Sequence, residues 1–455
     1  MDTKEMKEFR TKLYTDLYSN KIPERVPVND GFGIEYHLKY AGMDLMLTQY
    51  SLTTEKIVEA MDKVREFARG DVFTTGSARN AVGAMLQKSN MDVMSKSGFV
   101  QHPESATLYE NELDDYIQSP YDVIQKVMRP RSYPAYVDDP FQRCFNYMRF
   151  FLANQDFNRT IAEANRIIAE KYGLLTTPAG TSGRAPVAFD NLADRARGFT
   201  QILTDIKRCP QKILDAMDAF MPYAIHIASK SKPHILGSNA IMTHMGVFLR
   251  NKEFDKFYWP KFNEIVHVAA ERGQATTIFC EGDWTRFLDE MTELPMGTRL
   301  YMEYGDMRKF KDKLGKNCIL GGFYPLTLLK NGTKEQCVDK AKEVMDIMAP
   351  GGNYFFRFDK AVLDTNDMDP KKYSAVMDYV FEHGKYENAG ETISQTDRDS
   401  TIIKGIADKY PKFKASCIMS FEEWVQDYPP ADERAVPLMK AAYDKYTAMT
   451  MNYFM

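Results

Sequence analysis

Along this chain the spacing of apolar residues switches repeatedly between two periods. Apolar positions recur every three or four residues over 191–206, 210–230, 253–272, 284–292, 307–314 and 334–348. Between these stretches lie short apolar or β-branched runs at 234–237, 275–281, 299–304, 318–320 and 353–358. The first pattern predicts amphipathic helices and the second predicts buried strands. Strands that alternate with helices call for a parallel sheet. The N-terminal part adds a helix over 1–20 and a short strand in ERVPVNDGFG that opens into a glycine-rich loop. A helix over 53–69 follows, N-capped by Thr53 or Thr54, and then a second strand at 70–74. The strand count comes to about eight, the number that closes an α/β barrel.

The middle of the chain is less regular. The pattern predicts a helix after Ser119-Pro120, two helices over 141–153 and 157–172, a strand at 174–177 and a loop in TTPAGTSGRAP. The whole chain is read as one barrel domain, 1–455. Within it, 77–190 forms an inserted helical segment or cap and 385–455 a helical extension, with a strand-like patch at 415–419.

Composition narrows the classes. With 44% hydrophobic and 27% charged residues, the 455-residue chain can bury a sizeable core. A net charge of −4 without a basic stripe argues against nucleic acid as a partner. No run suits a bilayer span and the N-terminus reads as a charged helix, so a cytoplasmic protein without membrane contact is expected. The six cysteines show no CxxC spacing, which fits a reducing compartment. The 27 methionines, with 26 tyrosines and 28 phenylalanines, suit both a core and a pocket for a flat apolar ligand.

Candidate chemistry gathers at strand ends. The run 275–281 breaks into Glu281-Gly282-Asp283, the run 299–304 into Gly305-Asp306, and the run 353–358 into Asp359. Carboxylates at the carboxyl ends of barrel strands are how this architecture builds a site. Alternation puts Glu281 and Asp283 on one face of their strand, and Arg357 and Asp359 on one face of theirs. Converging carboxylates need a cation, a partner such as Arg357, or shared protons. Helix capping by Asp283 and Asp306, and a rim salt bridge between Arg357 and Asp359, are the structural alternatives. His244, in SNAIMTHMG, can reach the mouth from a strand–helix loop, and His37 follows the first glycine-rich loop; either also suits a structural role. Trp284, Tyr304 and Tyr324 stand where they can sandwich an aromatic ligand or fill the core. The pairs Gly321-Gly322 and Gly351-Gly352 read as turns, and no nucleotide-binding glycine motif is present.

The run from Gln274 to about Gly384 resembles the uroporphyrinogen decarboxylase superfamily. The strand ending EGD, the stretch YGDM…KLGKNCILGGF, the helix NGTKEQCVDKAKEVMDIMAPGG and the strand NYFFRFDKAV carry the likeness, with ERVPV and DDYIQSPYDVIQKV upstream. It implies a TIM (β/α)8 barrel and one of two activities. Porphyrinogen decarboxylases of the superfamily have an Arg-Gln-Ala-Gly-Arg type motif in the first loop, where this chain has NDGFGIEYHLKY without arginine. Thiol-directed methyltransferases have His-x-Cys-Gly-Asp, where this chain has Phe279-Cys280-Glu281-Gly282-Asp283, and they carry a late cysteine that is missing near Phe358-Asp359.

The resemblance therefore implies a methyltransferase that moves a methyl group from an O-methyl compound, such as an aryl methyl ether, or an N-methyl compound. The acceptor is the cob(I)alamin of a partner corrinoid protein. Zinc bound by Glu281 and Asp359 is the implied metal, and Glu281, Asp283, Asp306 and His244 are the implied catalytic groups. Trp284, Tyr304, Tyr324, Arg357 and His37, read from their places at strand ends and in the first loop, are the candidate substrate contacts, and a homodimer is compatible with this reading. The alternatives are a decarboxylase acting on a carboxylated substrate, with Arg357 as its cationic group, and a non-catalytic corrinoid or tetrapyrrole carrier.

Overall fold

In the computed structural model, which describes residues 1–76 and 78–454 and side chains through Met451, the parallel sheet runs in sequence order. A small antiparallel hairpin, β1 (Val93–Met94) and β2 (Val100–Gln101), stands apart. The main sheet comprises β3 (Ser182–Arg184), β4 (Ser238–Thr243), β5 (Thr276–Asp283), β6 (Arg299–Tyr304), β7 (Ile319–Gly322) and β8 (Tyr354–Phe355), each parallel to the next. Beyond β8, Phe356 bridges in parallel to Val28, and Asn29 bridges to Val72. These two extended segments bring the count to eight, in the order of a TIM barrel. Among the described residues no ladder joins the 71–72 segment to β3; the backbone bond from Leu175 N–H to the Asp71 carbonyl (3.1 Å) carries the chain across. Asp71 also ties the first two segments together, accepting from Val28 N–H at 2.9 Å and from both terminal nitrogens of Arg25.

The two faces of each barrel strand fare differently. Ile241, Ile278, Cys280, Leu300, Met302, Leu320, Tyr354, Phe356 and Phe358 belong to one continuous core between the sheet and the outer helices. Their neighbours face the barrel axis. At the floor, Phe355 and Ile319 pack on Leu17 of the N-terminal helix Thr3–Tyr18, and the Arg299 guanidinium stacks 3.4 Å from the Tyr18 ring. Higher in the barrel the inward positions open to solvent, and Met242 is 54% exposed near the carboxyl end of β4. TIM barrels ordinarily fill this space with layers of branched side chains. Here Gly321 takes one of those places, and a Cβ on it would lie 2.3 Å from the Phe355 ring.

Several boundaries differ from the sequence expectation. Helices 307–314 and 334–348 and strand 299–304 form as expected. The run 174–177 is not a strand; β3 instead lies in the loop TTPAGTSGRAP, because its pairing partner β4 fixes the edge whatever the local propensity. Residues 234–237 form a turn, and β4 begins at Ser238. The two helices expected over 141–172 are one helix, Pro140–Tyr172, whose first half leaves Phe141, Phe145, Met148 and Leu152 exposed along a stripe. The patch 415–419 is a turn, and the last described element is the helix Val436–Phe454.

Candidate active site

Glu281 does not share a strand face with Asp283. Gly282 adopts a left-handed φ of +80°, and the β5–β6 register shifts between Cys280 and Asp283. A bulge of this kind turns a strand end and re-aims its side chains. Here it frees Gly282 N–H to donate to Glu303 Oε2 at 2.9 Å. Asp283 is exposed and accepts from Thr285 N–H at 2.8 Å, a local turn contact. Asp306 N-caps the helix Met307–Leu314 through Lys309 N–H at 3.2 Å. Both are spent on local backbone N–H groups, so the expectation that they converge with Glu281 is corrected.

The residue that Glu281 meets is His244. His244 follows β4, and its Nε2 lies 3.6 Å from Glu281 Oε2. Its Nδ1 lies 2.7 Å from Asp194 Oδ2. Asp194 sits one helical turn after Asp190, which is buried and holds the backbone of the histidine loop. Asp190 accepts from Met245 N–H at 2.8 Å and from the Tyr258 hydroxyl at 2.7 Å. The hydrogen bond to Asp194, with the charges of Asp190 and Glu281 adding to it, pushes His244 up to about 9, so the imidazolium is the resident form at neutral pH. Burial raises Glu281, with Glu303 and Asp194 pushing the same way and His244 opposing.

A second ionic group adjoins the first. Lys360 lies 3.3 Å from Glu303 and 3.9 Å from Asp359. Asp359 is buried and accepts from Leu326 N–H at 2.9 Å. Burial favours neutral Glu303, yet the Tyr304 hydroxyl, Gly282 N–H and Lys360 outweigh it and hold the carboxyl below its ordinary value. Tyr304 is exposed at this rim, and Lys360 lies 5.8 Å from its ring.

This frame of eight strands, with polar side chains at the carboxyl ends of β4, β5, β6 and β8, agrees with the family likeness. The uroporphyrinogen decarboxylase (URO-D) model matches residues 149–383, just over half of the chain. The chain belongs to the uroporphyrinogen decarboxylase family. Among solved structures, a methyltransferase from Methanosarcina mazei aligns with a TM-score of 0.53 at 14% identity, covering 82% of this chain and 98% of that one. Identity this low speaks to the fold alone. No curated protein matches the sequence.

In this member of the uroporphyrinogen decarboxylase family, other expected ligands lie elsewhere. Trp284 is 1% exposed, packs among Phe254, Tyr258, Phe262 and Phe287, and donates its indole N–H to the Glu281 carbonyl at 3.0 Å. Tyr324 is fully buried with its hydroxyl on the Cys337 carbonyl. Both are core, because the strand ends carry them outward into the helix layer. His37 is buried beside Phe32 and Phe73 with Nε2 3.1 Å from the Thr74 carbonyl, and burial depresses it to about 4. It is a neutral packing residue. No helix among the described residues is long and apolar enough to cross a membrane.

The zinc expected on Glu281 and Asp359 does not fit the donors present. No three His, Cys, Asp or Glu side chains among the described residues are grouped to hold a metal. Glu281 faces His244, and Asp359 has Leu326 N–H and Lys360, so Lys360 supplies the positive charge that a metal would.

Asp190, Asp194, Glu303 and Lys360 left weaker traces in the sequence. The two aspartates are four apart in one helix-forming stretch, the spacing that puts them on one face. Glu303 alternates with Tyr301 in β6, behind the more conspicuous Asp306. The buried Asp190 carries a prediction. Burial pushes it up to about 6 from 3.8, and Asp30 is raised likewise. The folded state then binds more protons than the unfolded state between these values, so stability falls as pH rises through that window. Asp190→Asn is expected to flatten the slope of urea midpoints measured from pH 4 to 7, leaving the part due to Asp30 and the other raised acids. An unchanged slope would mean that Asp190 titrates as an ordinary aspartate.

Proposed function

We infer that this protein is a methyltransferase that moves a methyl group from an O-methyl or N-methyl compound to the cob(I)alamin of a separate corrinoid protein. The observation that carries this reading is the Asp194–His244–Glu281 array, a proton donor fixed at the barrel mouth. Family membership and the fold likeness to a methyltransferase support the reaction class. A cob(I)alamin acceptor is itself a strong nucleophile, so the task left to the chain is leaving-group activation. The methyl–heteroatom bond breaks, the heteroatom keeps the electron pair, and His244 protonates it as charge develops. Asp194 orients the imidazolium and keeps it charged. Glu281 lies 3.6 Å from the imidazole Nε2, where its charge favours the imidazolium. The half-open mouth, with Met242, Tyr304 and Glu281 exposed, gives the acceptor access to the methyl carbon.

Free cob(I)alamin with a panel of methyl ethers and methylamines tests the reading by loss of the cob(I)alamin absorbance. Turnover with at least one donor is expected. No turnover with any donor, alongside carbon dioxide release from a carboxylated one, would replace methyl transfer with decarboxylation.

A further inference from the structure

The barrel interior holds a cation without a counter-ion. Arg357 follows the floor residue Phe355 along the inward face of the last strand, and its guanidinium carbon lies 4.1 Å from the centre of the Tyr301 ring. It forms no ion pair among the described residues, and its Nε is buried without a hydrogen-bond partner. The Tyr301 hydroxyl is likewise buried, with the Arg357 guanidinium as the polar group beside it. Gly31, at φ +71°, leaves the approach open, since its missing Cβ would sit 3.4 Å from Arg357 Nε. The acids of the region are taken. Asp71 has Arg25 and Arg10, while Glu303 and Asp359 share Lys360. The salt bridge considered between Arg357 and Asp359 does not form.

A half-buried guanidinium whose Nε is cut off from water is stabilised when charge and hydrogen bonds are returned to it. The geometry points to an anion subsite inside the barrel, in which Arg357 and the Tyr301 hydroxyl hold the carboxylate of a flat, singly charged acid. A planar carboxylate matches the guanidinium fork. Phe279 lies 4.8 Å from Tyr301, ring to ring, and Met242 pairs in register with Phe279, so the wall beside the subsite is apolar and aromatic. Phe279 and Tyr301 each lie two residues below the mouth carboxylates Glu281 and Glu303. At about 3.3 Å per residue that is roughly 7 Å, the span of one aromatic ring between an acid group and the heteroatom bearing the methyl. The inference rests on the methyl-transfer reading for the identity of the molecule, and it narrows the donor to an aromatic acid.

Titration calorimetry with benzoate, 4-methoxybenzoate and the neutral 4-methoxybenzyl alcohol tests it without turnover. Wild type is expected to bind the two acids more tightly than the alcohol. Arg357→Met is expected to weaken the acids about 30-fold or more and the alcohol less than about 3-fold, with Arg357→Lys between. The ligand-free Arg357→Met protein is expected to melt no lower than wild type, which shows that it is folded. Acids that bind the variant as they bind wild type, or that bind wild type no better than the alcohol, overturn the subsite. Acid binding through Arg357 without methyl transfer to cob(I)alamin keeps the subsite and removes the methyl-transfer reading. Transfer from neutral ethers alone, indifferent to Arg357, does the reverse.

Discussion

Replacing His244 with alanine is expected to slow methyl transfer about 10²–10⁴-fold, the usual range for a lost general acid. The effect should fall on kcat more than on KM, because the proton is needed as the leaving heteroatom gains charge and not when the donor binds. The pH profile separates a catalytic role from a merely structural one. A histidine raised to about 9 is protonated over the neutral range, so the rate should hold to about pH 8 and fall through 9. Asp194→Asn removes the largest cause of the rise, and the falling limb should then move toward the ordinary histidine value of 6.5. The sign for stability is the same. The folded pKa exceeds the unfolded one, so the His244–Asp194 contribution is complete below pH 6.5 and is lost as pH rises through 9. A His244→Ala enzyme with full kcat, or a limb that stays put in Asp194→Asn, would remove His244 from the chemistry.

Trp284→Ala is expected to have the largest effect on stability, about 3–5 kcal/mol. The indole fills the layer between β5 and the helix Trp259–Glu271, touching Phe254, Tyr258, Phe262 and Phe287, and caps the Glu281 carbonyl. Removing it leaves a large void in a close-packed region and an unpaired carbonyl behind the bulge. Urea unfolding should show a lower midpoint at an unchanged m value. If Trp284 instead sandwiched a ligand, its loss would cost under about 1 kcal/mol of stability and would raise KM for the donor. That pair of results would return Trp284 to the site.

Burial separates these two cases in a way that alternation along a strand does not. Trp284 and Tyr324 stand at strand ends, where an inward and an outward aromatic look alike in one dimension. The sheet decides: Tyr324 turns its hydroxyl to Cys337 in the outer layer, while Tyr301, within the run itself, turns inward. Glu281 and Asp283 illustrate the same limit. Their spacing of two predicts a common face, and the left-handed Gly282 undoes it. The expected cluster of acids at the mouth was therefore only partly legible. Glu281, His244 and Asp359 stand there. Asp283 and Asp306 are spent on local backbone N–H groups, which lie within two or three residues and cost little chain entropy to reach.

The sequence by itself determined the alternation of strands and helices, the parallel sheet and the strand ends at which polar side chains gather. These follow from period and turn residues, which act over a few neighbours. The family motifs also lie in contiguous stretches. Only the tertiary structure decided which charges meet. His244 finds Asp194 fifty residues away and Glu281 on the adjacent strand, and Lys360 takes the acids that would otherwise reach Arg357. Pairing of charges depends on distance in space and on burial, and a barrel brings together residues that the chain keeps far apart.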